Sequence, residues 1–286
     1  MKQSLSDVIT AVPTGFAVNG EVDSAASRAI LEHVAESGNE GAFVLGTTGE
    51  FPALSLEERG HLTQLALEVL SPHMRVIVHV GAPSLFEVLQ LIEQARETGA
   101  QEIAVLTPYY LPITDQALED FFRAVDHASK GLKVYIYIYA KRANNFVTPQ
   151  LMRTLSQLPN IAGAKVSEEP LSLLTEYREV VPEGFLIYTG ADRDVISVAE
   201  HGAQGVISGV SSVLPKPFRA AVAGEGDAAR LQADVDLAVE AIAGDMGRMH
   251  YAYELLGVPS GTCRMSIAAP GEQARAQIQD AVRKLS

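Results

Sequence analysis

Of the seven lysines, six sit where solvation accounts for them: Lys2 and Lys284 near the ends, Lys130, Lys133 and Lys141 beside one apolar run, and Lys216 between prolines. Lys165 instead lies inside the run Ile161–Val166, IAGAKV. Strand alternation puts 161, 163 and 165 on one face and 162, 164 and 166 on the other. Two readings stand side by side. The amine reaches along the strand end to water or pairs with Glu168 or Glu169. Alternatively, it is held in an interior, where removal from water disfavours the charged form and leaves the neutral nucleophile that imine formation requires. On that second reading Gly163 leaves room for a substrate beside the amine.

The run Val134–Tyr139 alternates aliphatic residues with tyrosine, so period two places Tyr135, Tyr137 and Tyr139 on one face. Buried phenols need hydrogen-bond partners and often only bridge interior layers, but one could also relay protons in a dry site. A third signal is Gly46-Thr47-Thr48-Gly49-Glu50 after an apolar run. Small and hydroxyl residues there form either a plain turn or a cradle of amides and two hydroxyls for a carboxylate.

Such residues need a scaffold that aims strand ends at one place. Eight apolar runs, Val8–Ala11, Ala42–Leu45, Val76–Val80, Ile103–Leu106, Val134–Tyr139, Ile161–Val166, Phe185–Tyr188 and Gly205–Ile207, alternate with amphipathic segments. Helix starts are marked by Ser55 and Ser84, each three residues before a glutamate, and by Thr148 before Pro149. This pattern predicts an α/β fold, a (β/α)8 TIM barrel, whose catalytic rim is the C-terminal end of the strands. An open doubly wound sheet would carry a glycine-rich fingerprint after its first strand, and residues 12–16 hold none. The predicted organisation is a barrel over 1–225 and a C-terminal helical extension over 226–286, with helices at Ala228–Ala243 and Glu272–Leu285 separated by Leu256–Pro270.

The net charge is 22 basic minus 35 acidic residues, −13, without a dense basic block, so a nucleic-acid partner is not expected. No apolar stretch approaches the roughly 20 residues that span a bilayer, so no membrane partner is expected either. A lone Cys263 and a start without a sustained apolar segment suit the cytoplasm. Metal-dependent aldol chemistry would need clustered ligands, and the histidines are scattered, with only His79 in a predicted strand. Neither a metal nor an organic cofactor is expected.

Taken together, Gly46–Glu50, Pro108-Tyr109-Tyr110, Tyr137 with Arg142, Gly163-Ala164-Lys165, Gly190-Ala191-Asp192 and Gly205–Ser208 resemble the family of dihydrodipicolinate synthase and N-acetylneuraminate lyase, the class I pyruvate-dependent aldolases and their dehydratase relatives. The match runs from about Val8 to about Val213. The resemblance implies that Lys165 forms a Schiff base with pyruvate or a related 2-oxo acid and that Tyr137 relays protons. It also implies that Thr47 and Thr48, in the loop opened by Gly46, hold the carboxylate, with Ile207 and Gly190 lining the site. Arg142 is similar to the residue that binds the second substrate's carboxylate. Tyr110 resembles the tyrosine that completes the relay from a neighbouring subunit, which implies a homo-oligomer, a dimer or tetramer.

Tyr137 keeps Arg142 and Lys165 in register with the family, while a gapped match through Tyr139, similar to the deoxyglucarate dehydratases, stays open. Where the family has Tyr-Asn-x-Pro-x-Arg-Thr-Gly, this chain has Tyr-Ile-Tyr-Ala-Lys-Arg-Ala-Asn, and Gly81–Leu85 lacks the usual Asn and Thr. The expected activity is therefore a lyase, aldolase or dehydratase. The synthesis of 4-hydroxy-tetrahydrodipicolinate itself and a silent barrel that only binds a 2-oxo acid are the alternatives.

Overall fold

In the computed structural model, which describes residues 6–224 and 226–286, eight parallel strands follow one another around a closed barrel in sequence order. They are β1 (Asp7–Ala11), β2 (Gly41–Val44), β3 (Arg75–His79), β4 (Glu102–Leu106), β5 (Lys133–Ile138), β6 (Ile161–Val166), β7 (Leu186–Thr189) and β8 (Gly205–Ser208). The TIM-barrel expectation is met, and each strand falls within about a residue of its apolar run, because strands covered on both faces read as short continuous hydrophobic stretches. Lys2 and the expected boundary at residue 225 lie outside the described residues.

The helices are α1 (Ser24–Ala35), α2 (Leu56–Leu70), α3 (Leu85–Glu97), α4 (Asp115–Ala128), α5 (Ala140–Ala143), α6 (Pro149–Leu155), α7 (Leu171–Val180), α8 (Pro215–Ala223), α9 (Ala228–Ile242), α10 (Met246–Leu255) and α11 (Glu272–Leu285). Ser55 accepts from the Glu58 amide and Glu58 returns the bond, a complete capping box on α2. Ser84 accepts from the Glu87 amide, and Thr148 from Leu151 with Pro149 in the first turn. Each such cap contributes about 1 kcal/mol. Helix α10 is an element that hydrophobic period did not find. It starts at Asp245, whose side chain accepts from the Arg248 amide directly after Gly244. No helix among the described residues is long and apolar enough to cross a membrane.

By internal contacts the chain forms two compact units. One holds residues 6–76, 192–196, 207–224 and 226–286, the other residues 77–191 and 197–206. In the first, β1 pairs with β2, and Arg193 of the short 192–196 piece bonds Asp236 on α9. In the second, β4, β5, β6 and β7 form consecutive ladders. The β5/β6 ladder contains a shift: Val134 pairs with Ile161, but Tyr135 pairs with Gly163, so Ala162 is skipped. Beyond that bulge Tyr137 stands opposite Lys165.

Candidate active site

Lys165 is 5% exposed near the C-terminal end of β6, and its ladder partners are Tyr137 on β5 and Tyr188 on β7. Its Nζ lies 4.4 Å from the centroid of the Tyr137 ring. The other side of the Tyr137 neighbourhood is His79 on β3, edge-on at 5.7 Å between centroids. An electron-rich ring face stabilises positive charge on the lysine nitrogen, whether that charge is an ammonium or a protonated imine. Of the two readings of Lys165, the structure shows a buried amine among aromatic rings. Glu168, one of its candidate partners, accepts from the Tyr139 hydroxyl and lies 3.5 Å from Lys141.

All three tyrosines of the stripe are buried, but they have different surroundings. The Tyr135 hydroxyl donates to Glu102 at 3.0 Å, and its ring meets Tyr188 edge-on at 6.2 Å. A Cβ added to Gly163 would stand 2.8 Å from the Tyr135 ring and 2.3 Å from the Leu186 carbonyl oxygen. The expectation that Gly163 leaves space for substrate is thus corrected: its missing side chain makes room for Tyr135 and the neighbouring backbone. Tyr139 follows β5 directly, with the Arg142 guanidinium 5.1 Å from its ring centroid. Burial, then the Glu168 carboxylate, pushes its phenol up to about 12, against the opposing pull of Arg142. Tyr139, Arg142, Lys141 and Glu168 therefore form one charged cluster following the Tyr137–Lys165 pair along the chain. Glu168 joins it from a left-handed backbone, φ 56°.

Gly190, after β7, packs so closely that a Cβ would meet the Ser167 hydroxyl at 2.7 Å. Tyr110 is 80% exposed, with φ 81°, on the segment after β4. That segment is fastened by Asn145, which sequence reasoning passed over. The Asn145 amide donates to the carbonyls of Pro108 (2.7 Å) and Leu111 (3.0 Å), and its oxygen accepts from the Ile113 amide. Exposed Leu111 and Phe146 flank the same tie.

In the other unit, Gly46–Glu50 forms a tight turn in which the amides of Gly49 and Glu50 bond the carbonyls of Gly46 and Thr47. Those two amides are spent within the turn, so the donors expected for a carboxylate narrow to the half-buried Thr47 and Thr48. The non-glycine residues Leu45 (φ 59°) and Glu50 (φ 54°) take left-handed conformations at its two ends. Gly46 is needed because a Cβ there would strike the Phe43 ring at 2.5 Å. Ile207 is buried in β8, and two residues later a Cβ on Gly209 would lie 3.3 Å from the Thr48 hydroxyl. The turn and the end of β8 are therefore neighbours. The same unit also gathers Glu50, His250 and Cys263, a cluster that scattered sequence positions concealed.

A model of the dihydrodipicolinate synthetase family matches residues 4–285. A 4-hydroxy-tetrahydrodipicolinate synthase of Alkaliphilus oremlandii is 34% identical over 221 residues, covering 77% of this chain and 74% of that protein. A synthase of the same name from Cyanothece is 30% identical over 227 residues, 78% of this chain and 77% of its own. Among solved structures, the dihydrodipicolinate synthase of Cyanidioschyzon merolae with lysine bound superposes with a TM-score of 0.90 at 26% identity, covering 100% of both chains. On this footing the chain belongs to the dihydrodipicolinate synthetase family, whose members are lyases.

Proposed function

We propose that the chain is a class I lyase that joins Lys165 to pyruvate or a related 2-oxo acid as a Schiff base. The observation that carries this reading is the buried Lys165 amine against the Tyr137 ring, each opposite the other in the ladder. The neutral amine adds to the 2-oxo carbon, and the resulting carbinolamine loses its hydroxyl as water with a proton delivered by the Tyr137 phenol. Loss of a proton from the adjacent carbon gives the enamine, which bonds to an aldehyde or imine carbon; the reverse sequence cleaves that bond. In this reading, which follows the motif resemblance, the 2-oxo acid's carboxylate is held by Thr47 and Thr48, and Gly46, Gly190 and Ile207 line its site. On the same reading Tyr110, exposed on its own chain, serves the relay of a neighbouring copy in a homo-oligomer.

Two partners for the enamine are in play. The curated relatives' name points to 4-hydroxy-tetrahydrodipicolinate synthesis, in which Arg142 would take a carboxylate. Against that, Arg142 is stacked on Tyr139, whose hydroxyl donates to Glu168, so an anionic residue already stands in the cation's neighbourhood. This favours a hydroxyl-bearing aldehyde without a carboxylate of its own over a partner that brings a second carboxylate.

The test is reductive trapping. Protein treated with pyruvate and borohydride should gain the mass of one reduced adduct on Lys165, and Lys165→Ala should show neither adduct nor turnover. No adduct with pyruvate or any other 2-oxo acid would overturn the imine reading. An activity screen with candidate aldehydes and deoxy-sugar acids then separates synthase from aldolase and dehydratase.

A further inference from the structure

Glu50, His250 and Cys263 each offer a ligand atom, and these atoms lie within 4.8 Å of one another. They come from the end of the turn after β2, from α10 and from the segment beyond α10. The imine chemistry uses none of the three.

Two of the three are buried polar groups with unmet valences. Glu50 is fully buried; one carboxylate oxygen accepts from the amides of Arg264 (3.0 Å) and Met265 (2.6 Å), while the other meets no N–H donor and the carboxylate faces the Cys263 thiol. His250 is 7% exposed, and neither ring nitrogen makes a well-formed hydrogen bond, the Ser260 backbone being its neighbouring polar group. Leaving such groups unsatisfied in an interior is costly. Arg264, the nearest cation in sequence, is occupied elsewhere by Glu58 and by the carbonyls of Gly20 and Ala53.

The three ligands are also held in place from behind. Residues around Cys263 are pinned by the reciprocal backbone bonds of Phe16 and Thr262, Glu50 by its two amides, and His250 by its helix, whose carbonyl at 250 accepts from Ser260. Fixed orientation of ligands by outer contacts is what distinguishes a built metal site from a chance cluster. His250 also lines a cleft of about 480 Å³, together with Tyr251, Glu254 and the 257–261 loop.

From this geometry we propose that Glu50, His250 and Cys263 bind a divalent cation of borderline softness, with Zn2+ the best fit. Imidazole nitrogen, thiolate sulfur and carboxylate oxygen are the ligand set that zinc takes, and three protein ligands leave a fourth tetrahedral position for water. Mg2+ and Ca2+, which require oxygen ligands, do not suit it. A nucleophilic role for the thiol is the weaker alternative. Cys263 stands beside the buried Glu50 carboxylate, and an electronegative neighbour disfavours a free thiolate nucleophile. Zinc would exchange for the thiol proton and fasten the end of the Gly46–Glu50 turn to α10.

The test reads metal binding rather than turnover, so it stands or falls apart from the imine reading. The full chain, stripped with chelator, is titrated with Co2+ as a spectroscopic probe and then with Zn2+. One equivalent of Co2+ should bind with a near-ultraviolet sulfur-to-cobalt charge-transfer band, which Zn2+ displaces. Because the chain has one cysteine, that band can come only from Cys263. Cys263→Ser should abolish it, and His250→Gln should weaken binding at least about tenfold. In the unaltered protein, one equivalent of Zn2+ should slow alkylation of Cys263 by at least about tenfold, a readout that needs no variant. Absence of stoichiometric binding, or Co2+ binding without the charge-transfer band, would overturn the proposal.

Discussion

The two halves of the β5/β6 ladder carry the same residue on the same face and do opposite things with it. Toward the strand starts, Tyr135 fills the space vacated at Gly163, leans on Tyr188 and donates a hydrogen bond to Glu102. Toward the strand ends, Tyr137 faces the Lys165 amine, and Tyr139 joins Arg142 and Glu168. The phenols are chemically equivalent in sequence. What separates packing from chemistry is the neighbour: a glycine and a carbonyl in one half, an amine and a guanidinium in the other.

That contrast can be broken by experiment. The largest effect is expected from Tyr137→Phe, which should lower kcat by roughly a hundred- to ten-thousand-fold while the protein stays folded. Tyr135→Phe should leave kcat within a few-fold, so an equal loss in both variants would erase the distinction between the halves. Next is Gly163→Ala, which forces a methyl against the Leu186 carbonyl and the Tyr135 ring; a stability loss of about 2–3 kcal/mol in denaturant titration is expected. Unchanged stability would mean that the lower half is not close-packed. Smaller still, Tyr135→Phe should cost about 1 kcal/mol of stability through the lost bond to Glu102.

The smallest effect sharpens the upper half. Because Tyr139 titrates near 12 in the folded chain rather than near its ordinary 10, the folded state holds a proton that the unfolded chain releases. Its contribution is fully present below about pH 10 and is lost as pH rises toward 12. Over that window the stability of the unaltered protein should fall more steeply than that of Tyr139→Phe. Parallel curves would remove Tyr139 from the charged cluster.

The strands and their order were legible because each is a short apolar run set off by capping residues such as Ser55 and Thr148. The importance of Lys165 was legible too, since an amine inside such a run is conspicuous. What local pattern did not carry was proximity. Gly163 pointed to substrate space when the space belonged to Tyr135, a neighbour 28 positions away whose ring direction no alternation rule supplies. Asn145 looked like part of an ordinary polar loop, yet it ties down the Tyr110 segment. Glu50 lies 200 residues before His250, so their meeting depends on the closed fold, and α10 was missed because its start rests on Asp245 more than on hydrophobic period.

The skipped residue Ala162 has a consequence for how such a chain can change over generations. With Val134 opposite Ile161, an uninterrupted ladder would set Tyr137 opposite Ala164 and leave Lys165 one place out of phase. The bulge therefore keeps amine and phenol in step. In-frame loss of codon 162 would remove the surplus residue and leave Val134–Ile161 and Tyr137–Lys165 paired in one regular ladder. A descendant whose ladder closed over the bulge with codon 162 retained would keep the full motif set while having lost the pair on which the motif depends.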